Sequence, residues 1–147
     1  MFLAFDPTTN PLNNNEWAFP LLEIIHIAGF TLSIGTIAIV DMGLLGYGKR
    51  GTPATLLKET GTWTLVGLII MLISGPLIFS SDPNMYLGNA SFRFKLTALL
   101  IAIIYNYTVH RKVALSGASP GVSKAVGVIS LALWVSVVAA GLFIAFV

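Results

Sequence analysis

Six side chains able to carry charge or hydrogen-bond strongly stand inside otherwise apolar stretches of this sequence: Glu23, His26, Asp41, Lys95, Asn106 and His110. The tightest spacing is Glu23-x-x-His26, which sets a carboxylate and an imidazole about one helical turn apart. Repeated on two helices, an i, i+3 Glu/His pair builds a di-iron site; here it occurs once. Imidazole is also a common axial ligand of haem iron. His26 is therefore the candidate metal or haem ligand, with Glu23 as co-ligand or hydrogen-bond partner, and Lys95 and Met71 complete the candidate cofactor site. His26 and His110 cannot share one iron, because helical rise puts them about 22 Å apart in depth. No G-x-S-x-G, P-loop, H-E-x-x-H or dinucleotide glycine pattern is present. The sequence thus contains no candidate catalytic residue. Asn89-Ala90-Ser91 fits the glycosylation sequon, a tripeptide common by chance.

The elements that position these groups follow from composition. Of 147 residues 56% are hydrophobic and 10% charged, with no cysteine and a formal charge of +2. A soluble domain carries about 25% charged residues, so a water-soluble enzyme is disfavoured. Eight Lys and Arg form no basic stripe, which excludes a nucleic-acid partner. Without cysteine there is no disulfide, thiolate metal site or Cys nucleophile. Residues 1–16 contain no Lys or Arg and do not read as a cleaved signal peptide. The Asn13-Asn14-Asn15 run is expected to cap the first helix, with Pro20 in its opening turn.

Four apolar stretches follow, at about Trp17–Tyr47, Trp63–Phe79, Phe92–Val109 and Val122–Val147. Backbone groups in lipid must be satisfied internally, so each reads as a helix. The expected fold is an all-α, four-helix integral membrane bundle in a single domain spanning 1–147. Gly75-Pro76 is expected to kink or end the second helix. Gly67, Met71 and Ser74 share a face with Trp63 there, and Gly127, Ser130, Trp134 and Gly141 share one with Ser123 on the fourth. Trp17, Tyr47, Trp63 and Tyr86 suit interfacial belts. Lys49, Arg50, Lys58, Arg111, Lys112 and Lys124 lie on one side and only Arg93 and Lys95 on the other. The positive-inside rule then puts both termini outside a bacterial inner membrane.

On the first span Glu23, His26, Ser33 and Asp41 fall within an arc of about 80°, and on the third Lys95, Asn106 and His110 within about 60°. These two polar stripes are expected to face each other. Depth sorts them into Glu23, His26 and Lys95 toward the outer end and Asp41, Asn106 and His110 toward the inner end. Glu23–Lys95 and Asp41–His110 then pair opposite charges, which offsets part of the burial cost.

Trp17 through Gly29, Asp41 through Gly46, Phe94-Lys95-Leu96 to Asn106-Tyr-Thr-Val-His110-Arg111, and Ser130 through Trp134 to Gly141 resemble an uncharacterised family of small four-span bacterial membrane proteins. The chain departs from that pattern at Gly43, where members often carry a basic residue, and at Leu142, where they carry Arg. The third-span pattern is also similar to CopD-type copper-resistance proteins, and the first-span histidine to HemJ-type haem-pathway proteins. Those likenesses imply copper handling or a b-type haem at Glu23, His26 and Lys95. Three readings stay open. One is a membrane protein binding a metal or haem-type cofactor. Another is a non-catalytic structural or accessory subunit, as a homo-oligomer or in a larger membrane complex. The third is proton or small-ion transport along the polar seam.

Overall fold

The computed structural model describes residues 5–47 and 51–147. Lys49 and Arg50, two of the six cations in the topology argument, lie outside the described residues. The chain is helical throughout its described length: α1 (Ala18–Leu44), α2 (Pro53–Phe79), the short α3 (Pro83–Gly88), α4 (Ala90–Tyr105), α5 (Arg111–Ser116) and α6 (Pro120–Phe143). A π turn, Asn106–His110, joins α4 to α5 so that Ala90–Ser116 forms one span. Each of the four spans is 27 residues long, or about 40 Å at 1.5 Å per residue. That exceeds a hydrocarbon core of about 30 Å, so the helix ends reach the headgroup layer or the helices tilt.

Helix ends account for the departures from the expected boundaries. The second helix begins ten residues before Trp63 because Thr52 accepts the Thr55 amide at 3.2 Å and Pro53 occupies the first turn. It also runs through Pro76 to Phe79 rather than ending there. The third span continues past Val109 through its basic residues. It stops where Gly117 adopts φ 62°, a left-handed conformation that a side chain would disfavour. The asparagine run does not cap α1, whose first position is flanked by Trp17 with no side-chain cap. Asn10 and Asn13 instead donate to the Ser80 and Ser81 carbonyls at 2.6 and 2.8 Å, tying the N-terminal segment to the α2–α3 turn.

Lipid is as apolar as a protein core, so helix association in a bilayer rests on close packing and hydrogen bonds. The closest approach is between α1 and α2. A Cβ built on Gly67 would lie 2.5 Å from the Gly29 carbonyl oxygen, so only two glycines let these backbones touch. At Gly43 an added Cβ would meet only the end of the Leu56 side chain, at 2.8 Å, a contact that a shift of that side chain relieves. The main close backbone packing of α1 is on α2 and α6, while α4 packs on α6 and α5 on α2; spans one and three meet through side chains, Asp41 with His110 and Phe30 with Lys95. The two polar stripes face each other at Asp41 and His110 but not along their whole length: His26 and Ser33 turn toward α2, and Glu23 is exposed. The central core joins Ile37, Leu68, Met71, Ala98, Ala102, Trp134 and Val137. Leu21, Ile24, Ile69, Leu100, Ile129 and other large apolar side chains point outward, as lipid contact requires.

The interfacial aromatics divide. Trp17 (72% exposed), Tyr47 and Trp63 (58%) are exposed, so Trp63 does not share the buried face of Gly67, Met71 and Ser74. Tyr86 is buried instead, its ring 5.1 Å from that of Phe92 and 6.1 Å from that of Phe79. Asn89 is also committed: it caps α4 through the Phe92 amide and donates to the Ile144 and Val147 carbonyls.

Gly67→Ala should lower resistance to unfolding in detergent by about 1–3 kcal/mol, the usual cost of overpacking. Gly61→Ala, whose added Cβ meets nothing within 4 Å, should cause no loss. Equal loss in both would show that the Gly29–Gly67 contact does not hold α1 to α2.

Candidate functional site

Asp41 sits in the last turn of α1 and is wholly buried (0% exposed). Its carboxylate is met from two other helices. His110, 1% exposed at the end of the π turn, places Nε2 2.6 Å from Oδ1. Ser130, 0% exposed on α6, donates its hydroxyl to Oδ2 at 2.9 Å. Because an ionised carboxylate only accepts, the His110 nitrogen facing it carries the hydrogen. Two features of the chain make this geometry. Gly127, one turn before Ser130, lets α6 approach α1: a Cβ there would lie 3.2 Å from the Asp41 carbonyl oxygen. The π turn supplies an extra residue just before His110, the kind of irregularity that re-aims side chains at functional sites.

Two buried polar atoms here lack a hydrogen-bond partner, Asn106 Oδ1 and His110 Nδ1; a third, Trp134 Nε1, belongs to the central apolar core. Each unsatisfied group costs roughly 1–3 kcal/mol, so two of them one helical turn apart, with His110 bonded to Asp41, are more than a purely structural pin requires. Asn106 and His110 line a cavity of about 450 Å³ bounded by α1, α2 and the π turn and its continuation.

The other group of expected residues is looser. His26 Nδ1 lies 2.8 Å from Ser74 Oγ, on α2. Ser74 also reaches the Ile70 carbonyl at 2.7 Å, the back-bond typical of a mid-helix serine. With that hydroxyl proton spent on the carbonyl, His26 donates from Nδ1 and keeps its lone pair on Nε2. Lys95 does not pair with Glu23. Its ammonium stands 6.0 Å from the Phe30 ring centroid and its stem runs beside Gly141, while Glu23 is exposed. The expected pair does not form because α2 and α6, rather than α4, cover α1. Met71 is buried in the central apolar core. Among the described residues no three His, Asp or Glu side chains come together to hold a metal ion.

Between the two groups, hydroxyls bridge α1 and α2. Thr36 Oγ1 and Thr64 Oγ1 are 2.8 Å apart and buried, and Ser33 is buried against Gly67. Sequence reasoning did not single out Thr36 or Thr64, and it read Ser130 and Trp134 only as a packing face. Their signal was helical phase relative to Asp41 and Gly67, which becomes readable once the neighbouring helix is known.

The sequence profile of a family of unknown function, DUF6644, matches residues 20–147. The chain belongs to the DUF6644 family. The match spans all four membrane helices, including Asp41, His110 and Ser130. No curated protein and no solved structure matches this DUF6644 chain.

Removing one partner of a buried ion pair leaves the other charge bare in a low dielectric. Asp41→Leu should therefore cost about 3–5 kcal/mol in reversible unfolding, and Ser130→Ala about 1 kcal/mol. Adding His110→Leu to Asp41→Leu should recover much of the loss. Additive losses in the double variant would show that the two side chains do not interact.

Proposed function

We propose that this protein conducts protons across a bilayer, with Asp41 and His110 as the group that holds the proton in transit. The observation that carries this reading is a carboxylate and an imidazole, both wholly buried on different spans, 2.6 Å apart, with the second imidazole nitrogen free of any protein partner. Ionisable pairs inside membrane bundles mark proton relays. Asp41 keeps the His110 Nε2 hydrogen, so a proton arriving at or leaving Nδ1 switches His110 between cation and neutral ring. The carboxylate compensates the cation, and Ser130 holds the carboxylate in place when the ring is neutral. Groups facing this exchange are Asp41 from α1, Ser130 from α6, Lys58 from α2 across the cavity, and Asn106 and Arg111 from the third span itself.

The rest of the route uses residues already placed. From Asp41 to His26 is about 22 Å along α1, and Ser33, Thr36, Thr64 and Ser74 offer hydroxyls over that interval. Lys58, Arg111, Lys112 and Lys124 gather at the Asp41 end. The positive-inside rule makes that end cytoplasmic and puts both termini outside, in a bacterial inner membrane as the family resemblance implies.

A second reading is favoured by one observation, the His26–Ser74 bond. Ligating histidines usually donate their other ring N–H to a neighbour, and His26 does so while leaving Nε2 open. This reading makes His26 the protein ligand of a haem-type cofactor or copper, with Glu23 beside it. A coloured preparation that loses its Soret band in His26→Gln would support it; a colourless protein without bound metal would remove it.

Proton flux into liposomes with a trapped pH dye and an imposed potential tests the first reading. Asp41→Asn and His110→Gln should each slow flux by about 10²-fold or more, as expected for removing a proton-transfer group, with His26→Ala also impaired. Flux no faster than in empty liposomes, or unchanged flux in folded Asp41→Asn, would overturn it.

A further inference from the structure

The cavity beside His110 also gathers positive charge. Lys58 on α2 and Arg111 just past the π turn both border it, together with Thr62, Thr64, Asn106 and His110. Neither cation forms an ion pair among the described residues, where the one ion pair is Asp41–His110. Its volume of about 450 Å³ falls within the roughly 300–1,000 Å³ of small-molecule sites. The deeper wall is apolar, with Ile37, Val40, Leu57 and Leu65.

The charges at this cavity select the class of ligand. Two unpaired cations disfavour a metal ion or an amine, and their strongest complement is an oxyanion, which accepts charge-assisted hydrogen bonds from ammonium and guanidinium groups. A guanidinium is matched in shape to a carboxylate or phosphate fork. Of the buried polar side chains at this cavity, His110, at 1% exposure, keeps Nδ1 without a protein partner, whereas the free Asn106 Oδ1 is an acceptor and does not itself bind an anion. His110 Nδ1 can donate to an oxyanion when protonated, and the hydroxyl of Thr62 adds a neutral donor at the wall.

We infer that the cavity bounded by Lys58, Thr62, Asn106, His110 and Arg111 binds an oxyanion, a phosphate or carboxylate group. That chemistry has two sources. A free small anion would enter from the basic end, whereas an anionic lipid would place its headgroup between Lys58 and Arg111 and its chains along Leu57 and Leu65. The inference stands apart from proton conduction, since Lys58 and Arg111 attract an anion whether or not His110 exchanges its proton.

The full-length protein in nanodiscs of phosphatidylcholine alone tests this by thermal stability. One arm titrates sodium phosphate and sodium propionate against matched sodium chloride. The other replaces part of the lipid with phosphatidylglycerol. Stabilisation by the soluble salts identifies a free oxyanion, and stabilisation by phosphatidylglycerol alone identifies a headgroup; both support the site. Lys58→Gln and Arg111→Gln, exposed positions that leave the Asp41 pair intact, should each weaken the response about tenfold in midpoint concentration. Lys112→Gln and Lys124→Gln, cations of the same end that do not line the cavity, should leave it unchanged. Stabilisation by neither source, or equal weakening in all four variants, would overturn the inference, and neither result bears on proton flux.

Discussion

A carboxylate with no access to water must be answered by the protein, and in this bundle Asp41 sets that constraint for three spans at once. His110 answers one oxygen and Ser130 the other. Satisfying both requires α6 to come close to α1, which Gly127 permits, and requires the third span to aim His110 inward, where the π turn intervenes. Moving any one of these helices by an ångström or two would break a hydrogen bond in a low-dielectric interior, where an unpartnered charge is most costly. The pair therefore fixes the relative depth of α1, the third span and α6, which apolar packing alone would leave free to slide.

The opposite half of the bundle is held by different means. Gly29 and Gly67 bring α1 and α2 into backbone contact, and the hydroxyls of Ser33, Thr36, Thr64 and Ser74 close against carbonyls or one another. Such groups stabilise helix pairs in lipid because they have no water to turn to. Lys95 finds no carboxylate and rests over Phe30, a weaker arrangement. Uncompensated polarity is thus distributed unevenly. It gathers as His26 Nε2 and Lys95 in one half, and as His110 Nδ1, Asn106, Lys58 and Arg111 in the other. The fully buried Asp41–His110 pair lies in the second of these halves.

Much of this was legible in the sequence. Apolar length gave four spans, and a rise of 1.5 Å per residue placed Asp41 level with His110, which is where they meet. Which helices are neighbours was not legible. In a bilayer the lipid-facing and core-facing sides are equally apolar, so hydrophobic pattern cannot orient a helix as it does in water. The expected facing of spans one and three therefore holds only at the inner end, and the outer pair Glu23–Lys95 does not form. Asp41–His110 forms because the π turn aims the imidazole at the short Asp41 carboxylate. The π turn had no sequence signal, since nothing in Asn106-Tyr-Thr-Val-His110 marks one added residue in a turn. Tyr86 was misread because interfacial and buried tyrosines look alike until Phe79 and Phe92 are known to lie beside it.

The central claim is that His110 is clamped through one nitrogen and exchanges a proton through the other. The chain has two histidines, so a His26→Gln protein labelled with ¹⁵N-histidine reports on His110 alone. Solid-state nuclear magnetic resonance of that protein in bilayers, recorded across a pH series, should show Nε2 protonated and hydrogen-bonded throughout while Nδ1 changes reversibly from bare to protonated. An Nε2 without its hydrogen, or an Nδ1 that never changes state, would contradict the account.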